Sequence, residues 1–322
     1  MWEALAYIQP ALKVKSIAKQ YLKTTPPDVM ILIDYIVANV DIGNFAHTQL
    51  PNVPILYYIA PQEWVWSIGT NKTDRIVRFT DKILAIFPGE ASYFRDRGAT
   101  VEFVGHPLID RVATLPSREV AREKLGIIDD EIAVALIPAS RKQELKYLLP
   151  AIFGAAQQIQ AQLPNVRFWI PLSRAEFQVE IESAIRSYRL NATLVTQSAD
   201  LVLCAADLAI TKCGTVSLEL ALLNIPQVAI YRVSRVTAWI AKHVFKFAIP
   251  YISPANLVEM KAIVPELMQD DANPERIATE SLELILNSER RDRMLADYHQ
   301  MRLALGDPGV CDRVAQAIFA KL

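Results

Sequence analysis

Residues 207–210 read "DLAI" and run straight into "TKCGTVSLELALLNIPQVAIYR" at 211–232. A short apolar run ends in a small polar turn. The turn opens into a leucine-rich segment carrying one carboxylate, Glu219, and a second apolar run, "QVAIY", follows. Near-continuous apolar strands with helices between them belong to parallel sheets covered on both faces. Gly214 and Thr215 fall where the first strand becomes a helix, so free amides and the positive end of the helix dipole meet there, an anion site. Thr215 and Glu219 are four apart and share one helix face. Glu219 therefore stands about one turn, ~5.4 Å, behind that site. The spacing suits a nucleotide, with phosphates at the helix end and ribose hydroxyls on the carboxylate. A capped helix with a solvated Glu is the plainer alternative. The ligand end of a parallel strand is where binding residues cluster, which favours the nucleotide.

The same alternation extends through the chain. Strands are expected at "DVMILI" (28–33), "PILYYIA" (54–60), "KILAIFP" (82–88) and "TVEFVG" (100–105). A second set covers "IAVALIP" (132–138), "VRFWIP" (166–171), "ATLVT" (192–196), "DLAIT" (207–211) and "QVAIY" (227–231). Segments of 3.6-residue periodicity, such as 142–162 and 174–189, lie between them. The proline-bearing stretch 105–120 reads as the crossing between the two sets. The expected fold class is α/β: two doubly wound, Rossmann-like domains facing a cleft. They occupy 1–115 and 116–288, and charged helices at 289–322 can pack back on the first domain. A doubly wound domain usually begins on a strand, whereas this chain begins with the helical pattern "MWEALAYIQPALKVKSIAKQYLK". The first domain is therefore expected to be incomplete, short by at least one strand–turn–helix unit.

Composition narrows the class. The 322 residues hold 34 Lys+Arg against 35 Asp+Glu, so no basic field or tract draws the chain to nucleic acid. An apolar share of 52% fits a chain that is well buried or meets lipid, yet no run of about 18 uncharged apolar residues is present to span a bilayer. No charged-then-apolar leader pattern is visible. Cys204, Cys213 and Cys311 are too few and too scattered for a zinc site or a disulfide framework, which points to a reducing compartment.

Other candidate positions each carry two readings. In "LIPASRKQE" (136–144) a strand ends at Pro138, a small turn holds Ser140, and Arg141 and Lys142 open a helix. Cations there oppose the helix dipole, so either solvent covers them or an anion lies between. Asp34 ends the run "ILID" at the carboxyl end of a strand, either a base for an acceptor hydroxyl or a turn cap. His106, in "GHP", is a cleft residue or a loop histidine held by hydrogen bonds. The aromatic stretch "YYIAPQEWVW" (57–66), with Trp64 and Trp66, lines a pocket, meets lipid or fills core. "RVTAWIAKHVFKFAIPYI" (235–252) sets Trp239 and Phe247 among Lys242, His243 and Lys246, as a helix in a headgroup region or a buried helix with a polar edge. Asn256, in "SPANL", reaches a nucleotide or makes a plain turn.

Taken in order, "YYIAPQEWVW", "FVGHPLID", "IPASRKQEL", "GTVSLELALLNIPQVAIYR", "TAWIAK" and "SPANLVEMKAIVPELMQ" resemble the lipid-A-disaccharide synthase family over nearly the whole chain. The resemblance implies an inverting glycosyltransferase of GT-B fold. It would join UDP-2,3-diacylglucosamine to 2,3-diacylglucosamine 1-phosphate without metal or other cofactor. The protein would be cytoplasmic, peripheral to the inner membrane, and a homodimer is a compatible assembly. The family's Pro-Gly-Ser-Arg turn corresponds to Pro138-Ala139-Ser140-Arg141, and its Ser-Gly-Thr…Glu turn to Cys213-Gly214-Thr215…Glu219. Arg141, Ser140, Gly214 and Thr215 would then hold the diphosphate, Glu219 the ribose and Asn256 the nucleotide side, while Arg141 also stabilises the leaving UDP. The family's Asp-Ala-Pro-Asp-Phe-Asn segment corresponds to residues 34–39, keeping Asp34 as general base and Asn39 beside the cleft but placing Val37 where the second Asp stands. The family's opening strand and Gly-Glu-Ala-Ser-Gly-Asp loop have no counterpart before Met1; the "GEAS" at 89–92 is elsewhere. Donor binding with poor transfer is the resulting expectation. The alternatives are a non-catalytic UDP-sugar-binding remnant and another GT-B enzyme acting on UDP-sugars.

Overall fold

The computed structural model describes residues 8–66, 71–234, 237 and 250–322. The chain divides into two compact units, Met1–Asp110 with Ala304–Leu322, and Arg111–Leu303.

In the first unit β1 (Met30–Ile33), β2 (Ile55–Tyr58), β3 (Lys82–Ala85) and β4 (Val101–Phe103) lie parallel in chain order. Helices Ile36–Gln49, Asn71–Phe79 and Pro88–Arg95 connect them, and Ile8–Thr24 precedes β1. The inner strands are covered on both faces, as their unbroken apolar sequence requires: Ile55, Leu56, Tyr57, Ile83, Leu84 and Ala85 are all buried. The edge strand β1 alternates instead. Met30 and Leu32 face the core, while Ile31 and Ile33 are 38% and 54% exposed. Gly43 permits the close approach of helix Ile36–Gln49 to Phe79, whose ring lies 2.5 Å from where a Cβ on that glycine would stand. Burying Phe79 against it is worth about 1.5–3 kcal/mol. Helix Val310–Phe319 belongs to this unit and is pinned by Asp110, which accepts the N–H groups of Gly309 (2.7 Å) and Cys311 (2.9 Å).

The second unit holds six parallel strands: β5 (Ile132–Ile137), β6 (Val166–Pro171), β7 (Ala192–Val195), β8 (Leu208–Lys212), β9 (Gln227–Tyr231) and β10 (Glu266–Met268). Their order across the sheet is β10-β9-β8-β5-β6-β7. The chain builds outward from β5 through β6 to β7, then returns and continues on the other side of β5 with β8. The order thus reverses between β5 and β8, and in an open α/β sheet the carboxyl ends of the strands at such a reversal flank the ligand crevice. Helix Lys142–Gln162 follows β5, and helix Thr215–Leu222 follows β8. The second is apolar nearly all round, and Leu218, Leu220 and Ala221 are fully buried.

All nine strands expected from the sequence are present. β10 escaped that reading because it has three residues, of which only Leu267 is buried, too short a run to show a pattern. Among the described residues no helix is long and apolar enough to cross a membrane.

Candidate active site

The two turns at the strand reversal are built alike. After β5, Pro138 and Ala139 lead into Ser140 and Arg141, and the helix begins at Lys142. After β8, Lys212 and Cys213 lead into Gly214, and the helix begins at Thr215. Both helix amino ends, with their unpaired N–H groups, therefore lie at the carboxyl ends of adjacent strands. A cavity of about 200 Å³ opens there, lined by Arg141, Glu144, Lys212, Cys213, Tyr231 and Arg232. Among the described residues neither Arg141 nor Arg232 forms an ion pair. Lys212 Nζ lies 3.7 Å from the Glu144 carboxylate. That carboxylate also accepts the N–H and hydroxyl of Ser140, at 2.8 and 3.1 Å. Burial pushes the Cys213 thiol far up, so it stays protonated. Three cations against one carboxylate, beside the amino end of helix Lys142–Gln162, suit a ligand with more than one negative charge, though Ser140, Gly214 and Thr215 are not among the lining residues. A larger cavity of about 550 Å³ lies at the other end of the sheet, beside the carboxyl end of helix Thr215–Leu222 and Pro226 just before β9. Its Arg118 and Arg291 are matched by Asp207 and Asp292, so it carries no excess of cations.

Two residues assigned to the nucleotide from the sequence have other partners. Glu219 is buried one turn along its helix, as its spacing predicts, but its Oε1 accepts a hydrogen bond from Arg111 Nε at 2.8 Å. Arg111 also donates to Asp200 at 2.8 Å, and the pairing with Glu219 holds its guanidinium above the ordinary value. Among the described residues Glu219 is hydrogen-bonded at one oxygen only. Asn256 needs a correction. Its Nδ2 donates to Val264 O (3.0 Å) and Glu266 (2.7 Å), while its Oδ1 accepts from Ile263 N (2.8 Å) and Val264 N (2.9 Å). An amide has four hydrogen-bonding places, and all four are used. Asn256 fastens the loop between helix Pro254–Glu259 and β10 and has nothing left for a nucleotide.

In the first unit the carboxyl end of β1 makes a left-handed turn, with φ of 48° at Asp34 and 33° at Tyr35. The turn is held through backbone. Asn39 Nδ2 donates to Ile33 O and Asp34 O, both at 2.8 Å, and Tyr57 Oη donates to Asp34 O at 2.8 Å. Asn39 brackets the turn through its Nδ2. What the bracket presents is the exposed carboxylate of Asp34. His106 is buried. Its Nδ1 accepts from Leu108 N at 3.2 Å, its ring lies 5.1 Å from that of Phe87, and burial pushes its pKa down to about 4. It is the loop histidine of the two readings, uncharged at neutral pH. The turn before it needs Gly105, whose φ is 87° and whose added Cβ would stand 2.9 Å from Leu305 O.

Glu90 went unnoticed in the sequence. It is buried and accepts the N–H groups of Ala60 (3.0 Å), Ile86 (2.9 Å) and Phe87 (3.2 Å), which ties the ends of β2 and β3 together. Burial raises its pKa to about 7 against those hydrogen bonds. Trp64 is half-buried and packs on Phe87, with ring centroids 5.7 Å apart. The Trp66 side chain and residues 235–236 and 238–249, which include Trp239 and Phe247, lie outside the described residues. Among the described residues no three His, Cys, Asp or Glu side chains gather as a metal-binding group.

The sequence matches the family model for lipid-A-disaccharide synthetase over residues 1–320. The chain belongs to the lipid-A-disaccharide synthetase family. It is 53% identical over 317 residues to lipid-A-disaccharide synthase of Gloeothece citriformis, covering 98% of this chain and 83% of that one. It is 51% identical over 319 residues to that of Synechocystis, covering 98% and 81%. Solved structures carry the same fold at low identity. Acinetobacter baumannii MurG superposes with a TM-score of 0.57 at 15% identity, over 96% of this chain and 78% of that one. A Staphylococcus aureus MnaA–UDP structure gives 0.64 at 15%, over 95% and 79%. The fold is GT-B, and the family membership makes the chain a glycosyltransferase of lipid A synthesis. Lys212 and Arg232, which line the cavity, and Arg111, which bonds Glu219, were given no role in the sequence. Lys212 and Arg232 lie within the stretch 211–232 and Arg111 directly follows "FVGHPLID", yet only the strand reversal or a long-range ion pair sets them apart.

Proposed function

We propose that the strand reversal between β5 and β8 is the donor site and that the turn after β1 supplies the base. The reaction is the family's own. The chain condenses UDP-2,3-diacylglucosamine with 2,3-diacylglucosamine 1-phosphate, giving lipid A disaccharide 1-phosphate and UDP. In an inverting transfer the acceptor 6-hydroxyl attacks the sugar C1. The bond from C1 to the phosphate oxygen breaks and its electron pair leaves with UDP. Asp34 takes the hydroxyl proton, for which an exposed carboxylate fixed through its own backbone is suited. Ser140 and Thr215 line the helix amino ends, and Arg141 stabilises charge gathering on the leaving diphosphate. Glu219 accepts a ribose hydroxyl on the oxygen Arg111 leaves open. Both substrates carry acyl chains, so the enzyme works at a membrane surface.

The observation that supports this reading most is the pair of helix amino ends meeting Arg141 and Arg232 at the strand reversal. The test is a transfer assay with both acylated substrates. Disaccharide and UDP in equal amounts are expected, falling about 10²-fold or more in Arg141→Ala, as for other lost donors to a leaving-group charge. Turnover of a non-acylated UDP-sugar without an acceptor would overturn the reading in favour of another GT-B activity.

A further inference from the structure

Glu144 is the odd member of the donor cavity, a carboxylate in a place suited to a polyanion. Its Oε2 accepts the Ser140 N–H at 2.8 Å and the Ser140 hydroxyl at 3.1 Å, and stands 3.7 Å from Lys212 Nζ. An amide at a helix amino end, a hydroxyl and an ammonium are the donor set a phosphate oxygen takes. Glu144 lies in the first turn of helix Lys142–Gln162, with its side chain 28% exposed. A rotamer change would carry its carboxylate into solvent without disturbing the core. Lys212, 17% exposed, reaches across its own turn: its ammonium is 3.3 Å from where a Cβ on Gly214 would stand. It therefore sits over the amino end of helix Thr215–Leu222 while facing that of helix Lys142–Gln162. Ala or Met at 212 would leave two arginines lining the cavity but nothing cationic at the junction of the two turns.

We propose that Glu144 and the donor diphosphate compete for Ser140 and Lys212, and that Lys212 passes from the carboxylate to the diphosphate as the sugar nucleotide binds. Lys212 is then a catalytic residue in contact with the leaving group. Glu144 sets how tightly UDP is held, because the displaced carboxylate remains close enough to repel it. This rests on the donor-site reading above.

The experiment is calorimetric titration of the full chain with UDP, alongside ligand-observed NMR with uridine, which lacks the diphosphate. Lys212→Met should weaken UDP about 10- to 100-fold, the range for a lost hydrogen bond to a charged group. Uridine binding should not change, and Lys212→Arg should recover part of the loss. Glu144→Gln keeps an acceptor for Ser140 but no charge, and should tighten UDP by about 3- to 10-fold, as expected for removing a like charge near the surface. UDP bound as well by Lys212→Met as by the parent, or more weakly by Glu144→Gln in a protein of unchanged melting temperature, would overturn the proposal and leave the donor site standing. A parent chain that binds neither UDP nor uridine would overturn the donor site and this proposal together.

Discussion

The carboxyl ends of β1 to β4 and those of β5 and β8 are alike in sequence: apolar runs closed by a Gly-, Pro- or Asp-bearing turn, then a helix. They differ in where their polar groups go. In the first unit Asn39, Glu90 and His106 all bond to nearby backbone, and Asp34 alone of this set presents its side chain outward. In the second, Arg141 and Arg232 have no acidic partner among the described residues, and Lys212 has one at 3.7 Å. Polar residues at a strand end thus have two fates, to close the turn or to face a ligand. Position does not distinguish them; the hydrogen-bond inventory does.

The sharpest way to break this contrast is Asp34→Asn. If Asp34 is the group its unit spends on chemistry, transfer should fall by about 10²–10⁴-fold with UDP affinity unchanged. A rate near that of the parent would make Asp34 one more turn residue. Asn256→Ala probes the opposite error, a bracket on the donor side mistaken for a ligand contact. It strands three buried backbone groups, and urea denaturation should show a loss of about 3 kcal/mol or more. Unchanged stability with lost UDP binding would restore the assignment made from sequence. Glu219→Ala should weaken UDP by about 1.5–3 kcal/mol in calorimetry, the value of hydrogen bonds to a charged group. Indifference to UDP would make the pair with Arg111 its whole purpose.

The smallest effect belongs to Glu90. Its pKa in the folded protein, about 7, is raised from an ordinary 4.5 by burial. The folded state therefore binds this proton more tightly than the unfolded one. The stability from Glu90 is fully present below its ordinary value and is lost as pH rises through about 7. Between pH 6 and pH 8 the loss attributable to this group is about 1 kcal/mol. Denaturant midpoints across that window, with carboxyl NMR of Glu90, would measure it. Titration of Glu90 near 4.5 would show that the three N–H bonds outweigh burial.

Much of the fold was legible because strand burial writes itself into the sequence. Most of the nine runs, such as "IAVALIP" and "KILAIFP", are apolar almost without a break, and the inner strands they form are covered on both faces. The anion turns were legible for a similar reason: Gly214 and Ser140 stand between a strand and a helix, and a helix amino end has the same free amides wherever it occurs. β10 was not legible, since its pairing with β9 rests on backbone rather than pattern. Nor were Arg111 beside Glu219, 108 residues apart, or Glu90 beside Ala60, 30 apart.

The sequence by itself determined which residues are buried, where strands pass into helices, and the family to which the turns belong. These are local properties, set by the period of apolar residues and by the chemistry of a few consecutive positions. The tertiary structure decided the order β10-β9-β8-β5-β6-β7, which brings the turns after β5 and β8 side by side although their residues stand some seventy positions apart. It also decided which polar side chains were consumed. Asn256 and Glu219 look equally available in a sequence, but hydrogen-bonding capacity is finite. Only the folded chain shows that the first has used all four of its places while, among the described residues, the second is bonded at one oxygen.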